Sequence, residues 1–255
     1  MPRCARKTSE SGIYHIILRG INRQIIFEDD EDREKFVETI SHYKPISKYE
    51  LYGYCLMDNH IHLLMKEVAE PISMIIKRIS SSFVYWYNRK HERCGHLFQE
   101  RFKSEAVESE AYFLTVLRYI HQNPLKAGLS QSIEEYKWSS ANEYIGMPTK
   151  VNIDYALGMF SKDKTKAVEL LSKYMNEHTE DKCLENDEKY RMTDQEVSLY
   201  FAGCGLVNMN ELKQLEKSRR DEIIRTVKAL NGVTIRQLSR ITGISKSVIY
   251  RIWGQ

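Results

Sequence analysis

The chain has 255 residues, 42% of them hydrophobic and 11% aromatic, enough to build a real core in one large domain or in a medium domain plus a small one. It has no apolar run of about 18 residues, so no membrane span is expected; without an apolar signal segment near the start, it is expected to stay in the cytoplasm. Five scattered cysteines (Cys4, Cys55, Cys94, Cys183, Cys204) with no CxxC pair exclude a disulfide framework or a zinc ribbon.

Net charge is only +3, but it is unevenly spread. Residues 1–150 hold 21 Lys/Arg against 20 Asp/Glu, residues 151–205 hold 7 against 11, and residues 206–255 hold 10 against 4. A basic final module behind an acidic stretch points to a phosphate-bearing partner.

In chain order, residues 12–18 (GIYHIIL) read as a strand, followed by a basic turn, RGINRQ. The acidic cluster 28–32 opens a helix over roughly residues 33–43, with Phe36, Ile40 and Tyr43 at helical spacing, and Pro45 is expected to end it. Residues 51–57 and 60–66 read as two strands joined at Asp58-Asn59. A long helix is expected over 72–89, an extended stretch over 97–107, and a helix over 108–121 that must stop near Asn123 because Pro124 follows. This order predicts an α+β fold, a ferredoxin-like antiparallel sheet with helices on one face. Three regions are expected: a core over 1–148, a helical acidic connector over 149–190, and a helical module over 191–255.

The stretch GYCLMDNHIHLLM carries His60 and His62 on its second strand, where alternation puts them on one face while Ile61, Leu63 and Met65 share the other. Two imidazoles two residues apart can reach one divalent metal, but a third ligand and open positions would still be needed. A zinc site with Cys55, or with Cys94 and His96, matches no familiar spacing. In the later helix, Tyr119 and Asn123 are four apart and so share a face. Asn123 offers an oxygen to a hard cation, and Tyr119 a phenol that could attack phosphorus if a metal polarised the phosphate.

His60-Ile61-His62 in DNHIHLL, Tyr119 and Asn123-Pro124 in YIHQNPLKAGL, and the phrases RGINRQIIF, HLFQERFKSEAV and EYKWSSANEY occur in this order over residues 8–146. Together they resemble the single-tyrosine HUH endonucleases, and among them the REP-associated tyrosine transposases and their insertion-sequence relatives. The resemblance implies that His60, His62 and Asn123 bind Mg²⁺ or Mn²⁺, with His121 a poorer third ligand. It implies that Tyr119 forms a 5′-phosphotyrosine on single-stranded DNA beside a hairpin, and that rejoining needs no ATP. No GxxxxGK loop is present. Arg19, Arg23, Arg101 and Lys103 are the candidate DNA contacts of the core, with Phe102 and Trp138 as stacking or packing groups. The chain could act as monomer or homodimer, and Tyr119 could then serve its own site or its partner's. A nucleoid-associated protein is expected.

Residues 232–253 fit a helix-turn-helix with a turn at Gly243 and Ser245 as the cap of the second helix. Lys246, Ser247, Tyr250 and Arg251 would face a duplex major groove, with Arg236 and Arg240 near phosphates. A helix over about 210–229, carrying Arg219, Arg220 and Arg225, is expected to brace it. The compact members of the resembled family stop soon after the tyrosine domain, so this module also raises the alternative of a non-catalytic DNA-binding regulator derived from a transposase. A rolling-circle nickase shares the chemistry, but nothing in the sequence looks like its usual helicase.

Overall fold

The structure is a computed structural model that describes residues 7–146, 149–177, 179, 183–184, 194–204, 206, 212, 215–228, 230 and 233–254. The chain divides into two compact units, Met1–Glu185 and Asn186–Gln255. Among the described residues no helix is long and apolar enough to cross a membrane.

The first unit is built on four strands, β1 (Ile13–Arg19), β2 (Glu50–Met57), β3 (His60–Lys66) and β4 (Lys103–Ala106), in the order β2-β3-β1-β4. All neighbours are antiparallel. With α1 (Asp30–Ser47) between β1 and β2 and α2 (Ile72–Lys90) between β3 and β4, this is the ferredoxin-like arrangement. The two crossover helices pack on each other. Phe27, Phe36 and Phe83 meet between them with ring centroids 5.1–5.9 Å apart. The strand face of Ile16, Leu18, Ile61, Leu63 and Met65 is completely buried in the same core.

Asp29 starts α1 by accepting from the Asp32 amide in a reciprocal capping box. The helix then runs past Pro45 to Ser47, two residues beyond the expected stop, and ends where Lys48 turns left-handed. A proline in a last turn forfeits only one hydrogen bond, and just beyond it the Tyr49 hydroxyl ties the chain back by donating to the Ile40 carbonyl at 2.5 Å. The stretch 97–107 is mostly irregular, with only Lys103–Ala106 a strand and Phe98 bridging singly to Gly20.

The third long helix, α3 (Glu110–Lys126), is capped by Ser109 and also runs through its proline, Pro124. It lies on the histidine face of the sheet. There Gly53 admits it: a Cβ at that position would come within 2.9 Å of a Leu117 methyl. Beyond the short helices α4 (Ala141–Ile145) and α5 (Asp154–Gly158), α6 (Lys164–Met175) packs along α3. Arg118 stacks on Tyr174 at 4.0 Å, and the Gln122 amide donates to the carbonyls of Met175 and Glu177, each at 2.8 Å. The expected connector, as far as Glu177, therefore braces the tyrosine helix.

The second unit contains α7 (Asp194–Gly203), α8 (Lys217–Lys228), α9 (Ile235–Thr242) and α10 (Lys246–Trp253) around a separate apolar core that includes Phe201, Leu238, Ile249 and Ile252. Gly243 joins the last two helices at φ 66°, a conformation glycine adopts without penalty. Thr234 caps α9 through the Gln237 amide. Ser245 precedes α10 but makes no side-chain cap; its hydroxyl meets that of Ser247 at 3.1 Å. The expected ends of the bracing helix near 210 and 229, like the points 148, 190–193 and 232 in the expected boundaries, lie outside the described residues.

Candidate active site and nucleic-acid surfaces

Antiparallel register builds the site. Arg19 is paired with His60 and Ile17 with His62, and Ile17 is paired in turn with Lys103. Paired residues share a face, so Arg19, His60, His62 and Lys103 all project from one side of the sheet, together with His15, two residues along from Ile17. His62 is 2% exposed and His60 half-buried. Their rings lie 4.9 Å apart, edge to face.

Each histidine is held at the same nitrogen. His60 Nδ1 donates to the Asn59 side-chain oxygen at 2.6 Å, an oxygen that can only accept. His62 Nδ1 lies 3.0 Å from His15 Nε2, and those rings stack with centroids 5.3 Å apart. In both residues Nε2 is the nitrogen left for a ligand. Burial, then Arg19, pushes the His60 pKa down to about 4. Burial, then His60, His15 and Arg19, holds His62 well below the usual range. Burial alone takes His15 to about 3. All three are neutral imidazoles at pH 7.

Tyr119 reaches this cluster from α3. Its ring is 5.6 Å from that of His62 and 5.8 Å from that of His15, edge-on to both, with Lys126 Nζ 5.5 Å from its centroid. Asn123, half-buried one turn on, donates its side-chain NH₂ to the Tyr119 carbonyl at 2.7 Å. That bond uses the nitrogen end of the amide and leaves the oxygen as its donor atom for a cation. His121 points elsewhere: its Nε2 meets the Ser140 hydroxyl at 2.8 Å in the core.

Two neutral imidazoles engaged through Nδ1, each with Nε2 left over, plus one amide oxygen, suit a divalent ion that keeps water in its shell. Cys55 is paired with His62, but it is fully buried and its thiol pKa is raised by that burial, so it offers no thiolate. Cys94 and His96 are exposed on the segment after α2. Among the described residues no group of three His, Cys, Asp or Glu side chains is arranged to hold a metal.

Residues 8–123 match the sequence model of the family "Transposase IS200 like". In sequence, that stretch is similar to the IS200-like transposases. The chain is 24% identical, over 154 residues, to a putative REP-associated tyrosine transposase of Haemophilus influenzae, a match spanning 55% of this chain and 85% of the relative. Its fold also matches a solved REP-associated tyrosine transposase bound to a REP hairpin, at 16% identity and a TM-score of 0.50, over 57% of this chain and 86% of that one. His60, His62 and Tyr119 all fall inside the IS200-like segment, and Asn123 is its last residue.

The other candidates of the first unit take varied positions. Arg23 is half-buried in a short turn at φ 60°, its carbonyl accepting from Asn59 at 3.4 Å. Arg101 is exposed and lines a surface cleft. Phe102 is 6% exposed and belongs to the core, and Trp138 packs against that core under Arg33 and Lys137. In the second unit, Arg236, Lys246, Ser247, Tyr250 and Arg251 are exposed. Arg240 is exposed too, but its guanidinium grips both carboxylate oxygens of Asp194 at 2.6 and 2.7 Å. His15 is the site residue that sequence spacing missed. Its signal is strand alternation, which puts position 15 on the face of Arg19.

Proposed function

We propose that this protein is a transposase, a metal-dependent single-stranded DNA endonuclease and strand transferase acting beside DNA hairpins through Tyr119. The observation that carries the reading is the packing of Tyr119 against His62 and His15 of its own chain, with rings 5.6 and 5.8 Å away. In this reading His60 Nε2, His62 Nε2 and the Asn123 side-chain oxygen hold Mg²⁺ or Mn²⁺. Bound there, the ion would supply Lewis-acid polarisation of a non-bridging oxygen of the scissile phosphate.

The chain's own groups do the rest. Tyr119 Oη attacks phosphorus; the new Tyr–O–P bond forms as the bond to the 3′ oxygen breaks. The phenolic proton ends on the released 3′-hydroxyl, and the 5′-phosphate stays on the tyrosine. Attack of a 3′-hydroxyl on the phosphotyrosine reverses the step, conserving the phosphodiester without ATP. Asn59 and His15 orient the two histidines by engaging Nδ1. For His62 to bind through Nε2, its Nδ1–H must donate to His15 Nε2, and His15 then carries its own proton on Nδ1. Arg19 and Lys103, on the same sheet face, lie where a phosphate backbone would cross it.

The exposed Lys246, Ser247, Tyr250 and Arg251 of α10 support a second, duplex-reading surface, and with it the alternative of a regulator that only binds DNA. The test is a cleavage assay with Mn²⁺ on single-stranded oligonucleotides drawn from hairpin-bearing DNA flanking the gene. A covalent protein–DNA band that vanishes in Tyr119→Phe and His62→Ala is the expected result. No band on any strand, with duplex binding intact, would turn the reading to the regulator.

A further inference from the structure

A second feature of the first unit lies outside the tyrosine site. Between α2 and the segment 96–101 opens a cleft of about 560 Å³, within the roughly 300–1,000 Å³ usual for ligand sites. Ser81 and Tyr85 line it from the helix, and Gln99, Glu100 and Arg101 from the segment. Tyr85 is 72% exposed, which leaves its ring open to a ligand at the mouth of the cleft.

The exposed face of α2 repeats every four residues, as Lys77, Ser81, Tyr85 and Arg89. Four-residue spacing stacks these side chains along one line of the helix. The line runs from a cation, past a small hydroxyl that leaves room, to an aromatic face, then to a second cation. No Asp or Glu lies anywhere in α2. Among the lining residues Glu100 is the acid, and Arg101 stands beside it in sequence.

The cleft is also tied to the histidine strands. The Gln99 amide donates to the Arg19 carbonyl at 2.8 Å, and the Ile21 amide to the Leu97 carbonyl at 2.9 Å. Arg19 is the residue paired with His60. The wall of the cleft is thus fastened to the end of β1 that flanks the histidine pair.

We propose that this cleft is a single-stranded DNA subsite, in which Tyr85 stacks on a base and Arg101 meets the adjoining phosphate. Base stacking on an exposed aromatic ring beside backbone-neutralising cations is the chemistry that holds single strands. Unpaired bases have free faces to stack; a duplex does not. The subsite would hold nucleotides next to the cleaved phosphate, so the inference rests on the nuclease reading above.

The test uses the full chain in EDTA with a 5′-fluorescein oligo(dT) 20-mer, followed by fluorescence anisotropy. Tyr85→Ala is expected to weaken binding about 5- to 100-fold, with Tyr85→Trp restoring it. Arg101→Ala is expected to reduce the steepness of the salt dependence by about 0.7. Because the second unit can also bind DNA, a bromodeoxyuridine oligonucleotide is photocrosslinked and mapped; crosslinks within residues 80–101 are expected. Wild-type affinity in both alanine variants, or crosslinks confined elsewhere, would overturn the subsite. Failure of the nuclease reading shows separately, as the lack of any covalent adduct with Mn²⁺.

Discussion

His15 Nε2 and His62 Nδ1 lie 3.0 Å apart on neighbouring strands, and Tyr119 meets both rings edge-on. The contact is a diagonal one across the β1–β3 ladder, since His62 is paired with Ile17 and His15 with Leu64. It gives the fold a way to hold the inner histidine's ring and to choose which nitrogen faces outward.

The expected consequence is measurable without any DNA. His15→Phe keeps a ring in the core but removes the acceptor, and Mn²⁺ affinity, followed by the EPR signal of the free ion, should fall about 10- to 100-fold. His15→Gln, which retains an acceptor oxygen, should recover part of it. Equal affinity in wild type and His15→Phe would leave His15 a packing residue only.

Acid should loosen the first unit. Burial lowers the folded pKa of His15 and His121 to about 3 and of His60 to about 4, all below the ordinary value of 6.5. Between those values and 6.5 the unfolded chain binds protons that the folded chain does not. Stability is therefore full above about pH 6.5 and declines as pH falls toward 4 and then 3, by up to about 1.4 kcal/mol per pH unit for each group. Denaturant melts from pH 7 to 4.5 should show this slope, and His121→Gln should reduce it. A flat profile would contradict the buried neutral histidines.

The second unit makes a comparison between two arginines. Arg240 is held by Asp194, whereas Arg251 is exposed on α10. On a duplex, Arg251→Ala should cost about tenfold in affinity and lower the salt slope by about 1. Arg240→Ala should change affinity less than about threefold, and Asp194→Ala should raise it by releasing Arg240. Titrations over a range of salt decide the order; an Arg240 effect as large as that of Arg251 would show that DNA displaces Asp194.

Much of this was legible in the sequence because it is periodic. Alternation put His60 and His62 on one strand face, and four-residue spacing put Tyr119 and Asn123 on one helix face. The last two helices and the turn between them were legible through Gly243 and the apolar positions around it. What local pattern could not give was the pairing of distant segments. His15 and His62 are 47 residues apart in sequence, and an isolated histidine among Tyr14, Ile16 and Ile17 looks like core until the β1–β3 register is known. The prolines misled for a related reason: Pro45 and Pro124 each sit in a last turn, where packing of the surrounding helix outweighs one missing amide. The cleft beside Tyr85 is formed by a helix and an irregular segment, and no spacing rule reaches across them.

The central claim is that Tyr119 is the nucleophile, and the sequence holds 16 tyrosines among which to find it. The most direct measurement is mass-spectrometric location of the nucleotide on the protein after reaction with Mn²⁺ and a hairpin-flanked single strand. The account predicts a 5′-phosphonucleotide on Tyr119 alone, lost in His62→Ala. A nucleotide on any other residue, or an adduct that persists in Tyr119→Phe, would contradict it.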